Sequence, residues 1–227
     1  MRIPWRSSHS LAEVDYLPAP YRSDYEAARV LKHGKDVNDI LKNATVGIAG
    51  LGGLGSNIAM MLARAGVGKL IIADHDNVDI SNMTRQNYYY RHLGMKKTDA
   101  TVELLSFMDP NIEIEKHFVK LDPDNLEGIF NECNIVCEAL DDPKEKAMLI
   151  NNLLIKHPDV IVVSGSGMAG YGKSNDIRTE HAMKRLYVCG DGIDMEFWNS
   201  VMMSPRVNIC AGHMANTVIA VLMKKKV

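Results

Sequence analysis

Apolar positions run along this chain in two alternating rhythms. From Asp24 to about Lys42 they keep helical spacing, interrupted at Gly34, and Thr45–Ala49 is then a short β-rich run of the kind that forms a buried strand. Ser56 to Ala65 is apolar and alanine-rich, which suits a helix packed closely on a sheet, and Leu70-Ile71-Ile72-Ala73 predicts a second strand ending at Asp74. A helix over about Lys97 to Phe107 and a third strand over Asn111 to Val119 follow. Next come a fourth strand over Asn134 to Cys137, a helix over Pro143 to Lys156, and a fifth strand over Val160 to Val163, which runs into the small-residue stretch Ser164 to Gly170. Strands alternating with helices predict an α/β, Rossmann-like architecture: a doubly wound, mainly parallel sheet with helices on both faces. Beyond Gly170 the rhythm weakens. Tyr171 to Pro205 reads as loops with short strands or helical turns, either a lid or crossover over a site or a plain β-rich extension, before a last helix from about Arg206 to Met223.

Composition narrows the function classes. With 227 residues the chain can bury one substantial core, and the expected organisation is an N-terminal arm with helices over 1–43 and a globular domain over 44–227, forming one globular unit. At 46% hydrophobic and 24% charged residues with a formal net charge of -2, the chain shows neither disorder nor an electrostatic nucleic-acid footprint. No apolar run approaches the ~20 residues that span a bilayer, and the first ten residues lack a signal peptide's apolar stretch, so a cytoplasmic protein is expected. Cys133, Cys137, Cys189 and Cys210 form no CxxC pair, and they read as buried thiols rather than as zinc ligands or a redox pair.

The chemistry begins after the first predicted strand. Gly50-x-Gly52-x-x-Gly55, between a strand and a helix, places backbone N–H groups and the positive end of a helix dipole where a phosphate can sit. Asp74 ends the second strand 19 residues later, where an acid accepts hydrogen bonds from ribose hydroxyls in dinucleotide-binding folds. These features point to an adenosine-containing ligand and leave NAD, FAD and ATP open. The polar stretch from Asp74 to Gln86 has no obvious use in hydride transfer. Arg85 and Lys97 could together neutralise the β- and γ-phosphates of a triphosphate, against the alternative of a charged loop and a solvated lysine. Asp141 falls at the carboxyl edge of the sheet, where one carboxylate plus phosphate oxygens hold Mg²⁺; Asp142 can by itself supply the N-cap of the next helix.

In order, GLGGLG at 50–55, DHDNVDISNMTRQ at 74–86, GMKK at 94–97 with Asp109-Pro110 beyond, and ALDD at 139–142 resemble the successive motifs of the ThiF/MoeB/ubiquitin-activating enzyme superfamily over about residues 44 to 165. The resemblance implies adenylyl transfer, in which a carboxylate attacks the α-phosphate of ATP and gives an acyl-adenylate and pyrophosphate. It implies that Gly50, Gly52, Gly53, Leu54 and Gly55 lie against the nucleotide, that Asp74 binds ribose with Asp76 beside it, and that Asn82, Arg85 and Gln86 line the phosphate site. Lys97 would reach the triphosphate, Leu140 and Asp141 would also contact the nucleotide, and Asp141 would hold Mg²⁺. The implied partner is a ubiquitin-like sulfur carrier protein of ThiS type ending in Gly-Gly, used in thiamine biosynthesis, and the implied assembly a homodimer.

The sequence also departs from that family. Its members often place an arginine from an N-terminal helix in the partner subunit's active site; Arg22 and Arg29 are the candidates, Arg29 the favoured one, with exposed charge on an amphipathic helix as the competing reading. The two CxxC pairs of MoeB-like members are missing, so no zinc is expected. Cys189, in a stretch that reads as polar and flexible, is the candidate for the covalent cysteine found in many relatives. Competing functions are an NAD- or FAD-dependent oxidoreductase, a related adenylyltransferase acting on tRNA or a peptide, and a non-catalytic scaffold subunit. Retention of Arg85, Lys97 and Asp141 argues against the first and the last.

Overall fold

The computed structural model describes residues 19–193 and 201–225, with side chains from Asp24 onward. Most of the expected N-terminal arm, residues 1–18, and residues 194–200 of the 171–205 stretch lie outside the described residues. Two helices, α1 (Ala19–His33) and α2 (Lys35–Lys42), meet at Gly34, where the sequence pattern breaks. The main unit follows as β1 (Thr45–Ala49), α3 (Gly53–Ala65), β2 (Lys69–Asp74), α4 (Lys97–Met108), β3 (Glu113–Phe118), α5 (Leu126–Phe130), β4 (Ile135–Glu138), α6 (Pro143–Lys156), β5 (Ile161–Gly165), β6 (Arg178–Met183), β7 (Leu186–Gly190) and α7 (Ser204–Leu222).

The strands form one seven-stranded sheet in the order β3-β2-β1-β4-β5-β7-β6, parallel throughout except for the antiparallel β6–β7 pair at one edge. Side chains on successive strand positions point to opposite faces, and each face buries its own layer. Val46, Ile48, Leu70, Ile72, Ile135, Cys137 and Val163 pack with α3, α4 and α7. Ala49, Ile71, Ala73, Val136 and Val162 pack with α5 and α6 through Phe130, Leu149 and Leu153. Full burial of one such Ile or Leu contributes about 1.5–3 kcal/mol. This two-sided burial explains why the central strands read as continuous apolar runs rather than alternating ones.

The topology fixes where a ligand can lie. From β1 the sheet grows toward β2 on one side and toward β4 on the other, so the connections after β1 and β4 diverge and leave a crevice at the carboxyl ends of the strands. The weakly patterned stretch after Gly170 contributes β6 and β7, a β-rich extension over Arg178–Gly190.

Candidate active site

That crevice is a cavity of about 630 Å³, within the ~300–1,000 Å³ range of small-molecule sites. Its floor is the β1–α3 turn. Gly50 has φ +90°, and a Cβ there would lie 2.7 Å from the Ala139 carbonyl oxygen; at Gly55 a Cβ would lie 1.8 Å from the Gly50 carbonyl oxygen. Glycine at these two places lets α3 begin directly over the end of β1. The amino end of α3, with no side-chain cap at Gly52, therefore faces the cavity, where its first-turn N–H groups favour an anion.

Most of the sequence-nominated residues meet here. Gly50, Gly52, Gly53, Leu54, Asp74, Asp76, Asn82, Arg85, Gln86, Lys97, Leu140 and Asp141 all line the cavity, whereas Gly55 lies beneath it and serves close packing. Asp74 is held rigidly at the end of β2: one carboxylate oxygen accepts from the Leu51 N–H at 2.6 Å and the other from the Asp76 N–H at 2.7 Å. Lys97, almost fully buried at the start of α4, donates through Nζ to Asp76 at 2.7 Å. Burial pushes the Asp76 carboxyl upward, but the Lys97 hydrogen bond and charge, with His75, outweigh it and hold the group below its usual range.

Arg85 follows the 3₁₀ turn Ile80–Thr84, and its guanidinium meets only the Ser81 carbonyl at 3.3 Å and the Thr84 hydroxyl at 3.5 Å, so no carboxylate competes for it among the described residues. The buried Oε1 of Gln86 has no hydrogen-bond partner among them. Asp142 caps α6, accepting from the N–H groups of Lys144 at 2.8 Å and Glu145 at 3.0 Å, which leaves the exposed Asp141 carboxylate directed to the cavity.

Sequence reasoning missed the support behind this wall. Glu138, fully buried at the end of β4, accepts from the Leu140 N–H at 2.8 Å and the Ser164 hydroxyl at 2.6 Å, and pairs with Lys146 at 2.7 Å. Lys146 also lines the cavity. The cavity is also lined by a glycine-rich, largely apolar set made by Gly165 to Ala169, Gly192, Ile193, Met202 and Val207. These segments are fastened by the buried ion pair between Asp191 and Arg206, and Arg206 also donates to the Gly172 and Lys173 carbonyls at 2.7 and 2.9 Å.

Two expectations are corrected. Arg29 does not extend from its helix toward another subunit: it is buried, its guanidinium donates to Asp109, and it packs over the Tyr25 ring with 5.0 Å to the centroid. This arginine locks α1 to the turn after α4. The side chain of Arg22 lies outside the described residues. Cys189 is not in a polar, flexible setting but on β7, fully buried, with Sγ against the Thr179 hydroxyl at 3.5 Å. Burial pushes its thiol up, and likewise that of Cys137; Cys133 and Cys210 are pushed up to about 12 for the same reason.

Comparison with known proteins adds the family. The chain is 35% identical over 134 residues to an adenylyltransferase and sulfurtransferase, uba4, of Ogataea parapolymorpha, covering 59% of this chain and 34% of that protein. It is 36% identical over 115 residues to ubiquitin-like modifier-activating enzyme 5 of Caenorhabditis elegans, covering 44% and 27%. The chain thus spans about a third of the length of the curated relatives it matches. Among solved structures, the E. coli tRNA N6-threonylcarbamoyladenosine dehydratase TcdA in complex with ATP shares the fold at a TM-score of 0.78 and 17% identity, covering 92% of this chain and 97% of that one. E. coli MccB with ATP does so at 0.67 and 24%, covering 93% and 66%. A model of the ThiF family matches residues 26–227, which takes in the whole cavity and every element around it, and the chain belongs to that family.

Proposed function

We propose that this protein is an ATP-dependent adenylyltransferase that activates the C-terminal Gly-Gly carboxylate of a ubiquitin-like sulfur carrier protein of ThiS type as an acyl-adenylate. The observation that carries the reading is the convergence of an uncapped helix amino end, the Arg85 guanidinium and the Lys97 ammonium on one cavity that also contains the Asp74 and Asp141 carboxylates. Cations and N–H groups lining one cavity suit a triphosphate. The relatives named for adenylyltransfer and modifier activation, and the neighbours with ATP, point the same way.

In this reading Asp74 holds the ribose, the first turn of α3 with Arg85 and Lys97 holds the phosphates, and Asp141 is the ligand for Mg²⁺, which screens phosphate charge. The ligand atoms of Asp74, His75 and Asp76 lie within 4.8 Å of one another, but each Asp74 oxygen already accepts one N–H and keeps room for a ribose hydroxyl, so the reading gives the ribose to Asp74 and the metal to Asp141. The carboxylate of the carrier is already ionised at neutral pH. Its oxygen forms a bond to the α-phosphorus, the bond to the pyrophosphate oxygen breaks, and pyrophosphate leaves with the electron pair. No general base is needed, so rate enhancement rests on alignment and on stabilisation of charge by Arg85 and Lys97. In the same reading the glycine-rich stretch from Gly165 to Ala169, which lines the cavity, is where the slim Gly-Gly end would enter. We further assign the protein to the cytoplasm, as a homodimer and in thiamine biosynthesis; among the described residues no helix is long and apolar enough to cross a membrane.

A second reading, a carboxylate carried by tRNA, is favoured by the near-complete overlap with TcdA, 92% of this chain and 98% of that one. ATP–pyrophosphate exchange with Mg²⁺ separates the two: the proposal expects exchange that depends on a ThiS-like protein and is lost in Lys97→Ala and Asp141→Ala. Exchange dependent on tRNA moves the acyl substrate to the second reading. No exchange with either overturns adenylation.

A further inference from the structure

Arg85 and Gln86 reach the cavity from a segment with few anchors of its own. Both backbone N–H groups donate to the Asn82 carbonyl, at 3.1 and 3.0 Å, which holds the turn together but ties it to nothing else. Tyr88, farther along the segment, donates its hydroxyl to the Leu51 carbonyl at 2.8 Å; next to Arg85 itself the link to the glycine turn is made by three side chains in sequence positions that no nucleotide motif singles out. Asn57, in the second turn of α3, donates through Nδ2 to the Gly53 carbonyl at 2.6 Å and to the Arg85 carbonyl at 3.2 Å. Its Oδ1 accepts from Nδ2 of Asn87 at 2.7 Å. Beside it, the Ser56 hydroxyl donates to the Gly52 carbonyl at 2.7 Å and accepts from the Asn87 N–H at 3.2 Å. Ser56 and Asn57 are each 3% exposed, and none of the three side chains lines the cavity.

We propose that Asn57, supported by Asn87 and Ser56, is a positioning residue that holds the Arg85 backbone against the amino end of α3, so that the guanidinium and the first-turn N–H groups meet on the same triphosphate. The inference rests on the reading of the cavity as an ATP site. The chemistry of the position is specific. Bridging a helix carbonyl and a loop carbonyl takes two donors on one nitrogen, and receiving Asn87 takes an acceptor on the same carbon; a carboxamide offers all three. Alanine leaves the Arg85 carbonyl and the Asn87 amide without these partners, and aspartate sets a carboxylate against two carbonyl oxygens. Because Asp74 is fixed by the Leu51 and Asp76 N–H groups and not by Arg85, loosening Arg85 affects the phosphate end of the nucleotide and spares the ribose end.

The test is calorimetric titration of ATP with Mg²⁺ and of AMP into the wild-type chain, Asn57→Ala, Asn57→Asp, Arg85→Ala and the double variant Asn57→Ala/Arg85→Ala. The expected result is ATP affinity reduced about tenfold or more in both Asn57 variants, the scale of one or two net hydrogen bonds, with AMP affinity unchanged. The double variant should bind ATP as Arg85→Ala does, because Asn57 acts through Arg85. Equal losses for ATP and AMP, unchanged ATP binding, or additive losses in the double variant overturn the proposal. Should Asn57→Ala fail to fold, Asn87→Ala reads the same split between ATP and AMP. A wild-type chain that binds neither nucleotide removes the site reading itself, and the proposal with it.

Discussion

Replacing Glu138 by Gln keeps the volume and shape of the side chain but removes the charge that pairs with Lys146 in the wall of the site. In the native protein one carboxylate oxygen accepts from the Leu140 N–H at 2.8 Å, and the other takes the Ser164 hydroxyl at 2.6 Å and the Lys146 ammonium at 2.7 Å. All three partners are donors, so the new NH₂ group of glutamine faces a donor whichever way the amide turns. Breaking a fully buried ion pair by removing one member costs about 3–5 kcal/mol. Lys146 is 20% exposed and can recover part of its hydration, so the expected loss is about 2–3 kcal/mol. For a chain of this length that lowers the melting temperature by roughly 4–12 °C. Urea unfolding should show a lower midpoint with an unchanged slope, and Glu138→Gln/Lys146→Met should regain at least about 1 kcal/mol by removing the stranded charge. A single variant within about 0.5 kcal/mol of wild type, or a double variant no better than the single, refutes the reasoning.

Other consequences are equally open to measurement. Because Cys189 is buried on β7, Cys189→Ala should leave ATP–pyrophosphate exchange at the wild-type level, and intact mass spectrometry after turnover should show no thiol-sensitive adduct on the chain; such an adduct on Cys189 would contradict its structural role. His92 accepts the Tyr89 N–H at Nδ1, 3.0 Å, beside Arg91 and Glu103, and burial together with the Arg91 charge holds it below the usual imidazole value of 6.5. A depressed imidazole contributes stability that is present above 6.5 and is lost as pH falls through the folded value. The wild-type urea midpoint should therefore decline between pH 7 and pH 5 more steeply than that of His92→Asn, and parallel curves would contradict this.

The central architecture was legible because it rests on burial. The run Thr45–Ala49 and the helix Pro143–Lys156 match their elements end to end, since a strand covered on both faces must be apolar throughout and a Pro after an Asp cap starts a helix. Local chemistry blurred other boundaries: α3 begins at Gly53 rather than Ser56, because two glycines of the turn already sit in its first turn. The helix α5, Leu126–Phe130, is too short to show a period; β6 was hidden by the polar and charged residues that suit an edge strand, and β7 by its shortness among glycine and charged neighbours. Cys189 was misread because polar neighbours in sequence say nothing about the α7 layer that covers it. The same holds in the site. Gly50, Asp74, Arg85 and Lys97 announce themselves by residue type and spacing, whereas Glu138 with Lys146, and Asn57 with Asn87, become partners only once the fold is known.

The most direct test of adenylation is the fate of an isotope label. With the carrier protein carrying ¹⁸O in its terminal carboxylate, incubation with ATP, Mg²⁺ and hydroxylamine to release the acyl group should place ¹⁸O in AMP, because the attacking oxygen bonds to the α-phosphorus and remains there when the acyl–oxygen bond breaks. Label in inorganic phosphate, or nucleotide consumption with no label in AMP, would contradict attack at the α-phosphorus and with it the proposed activity.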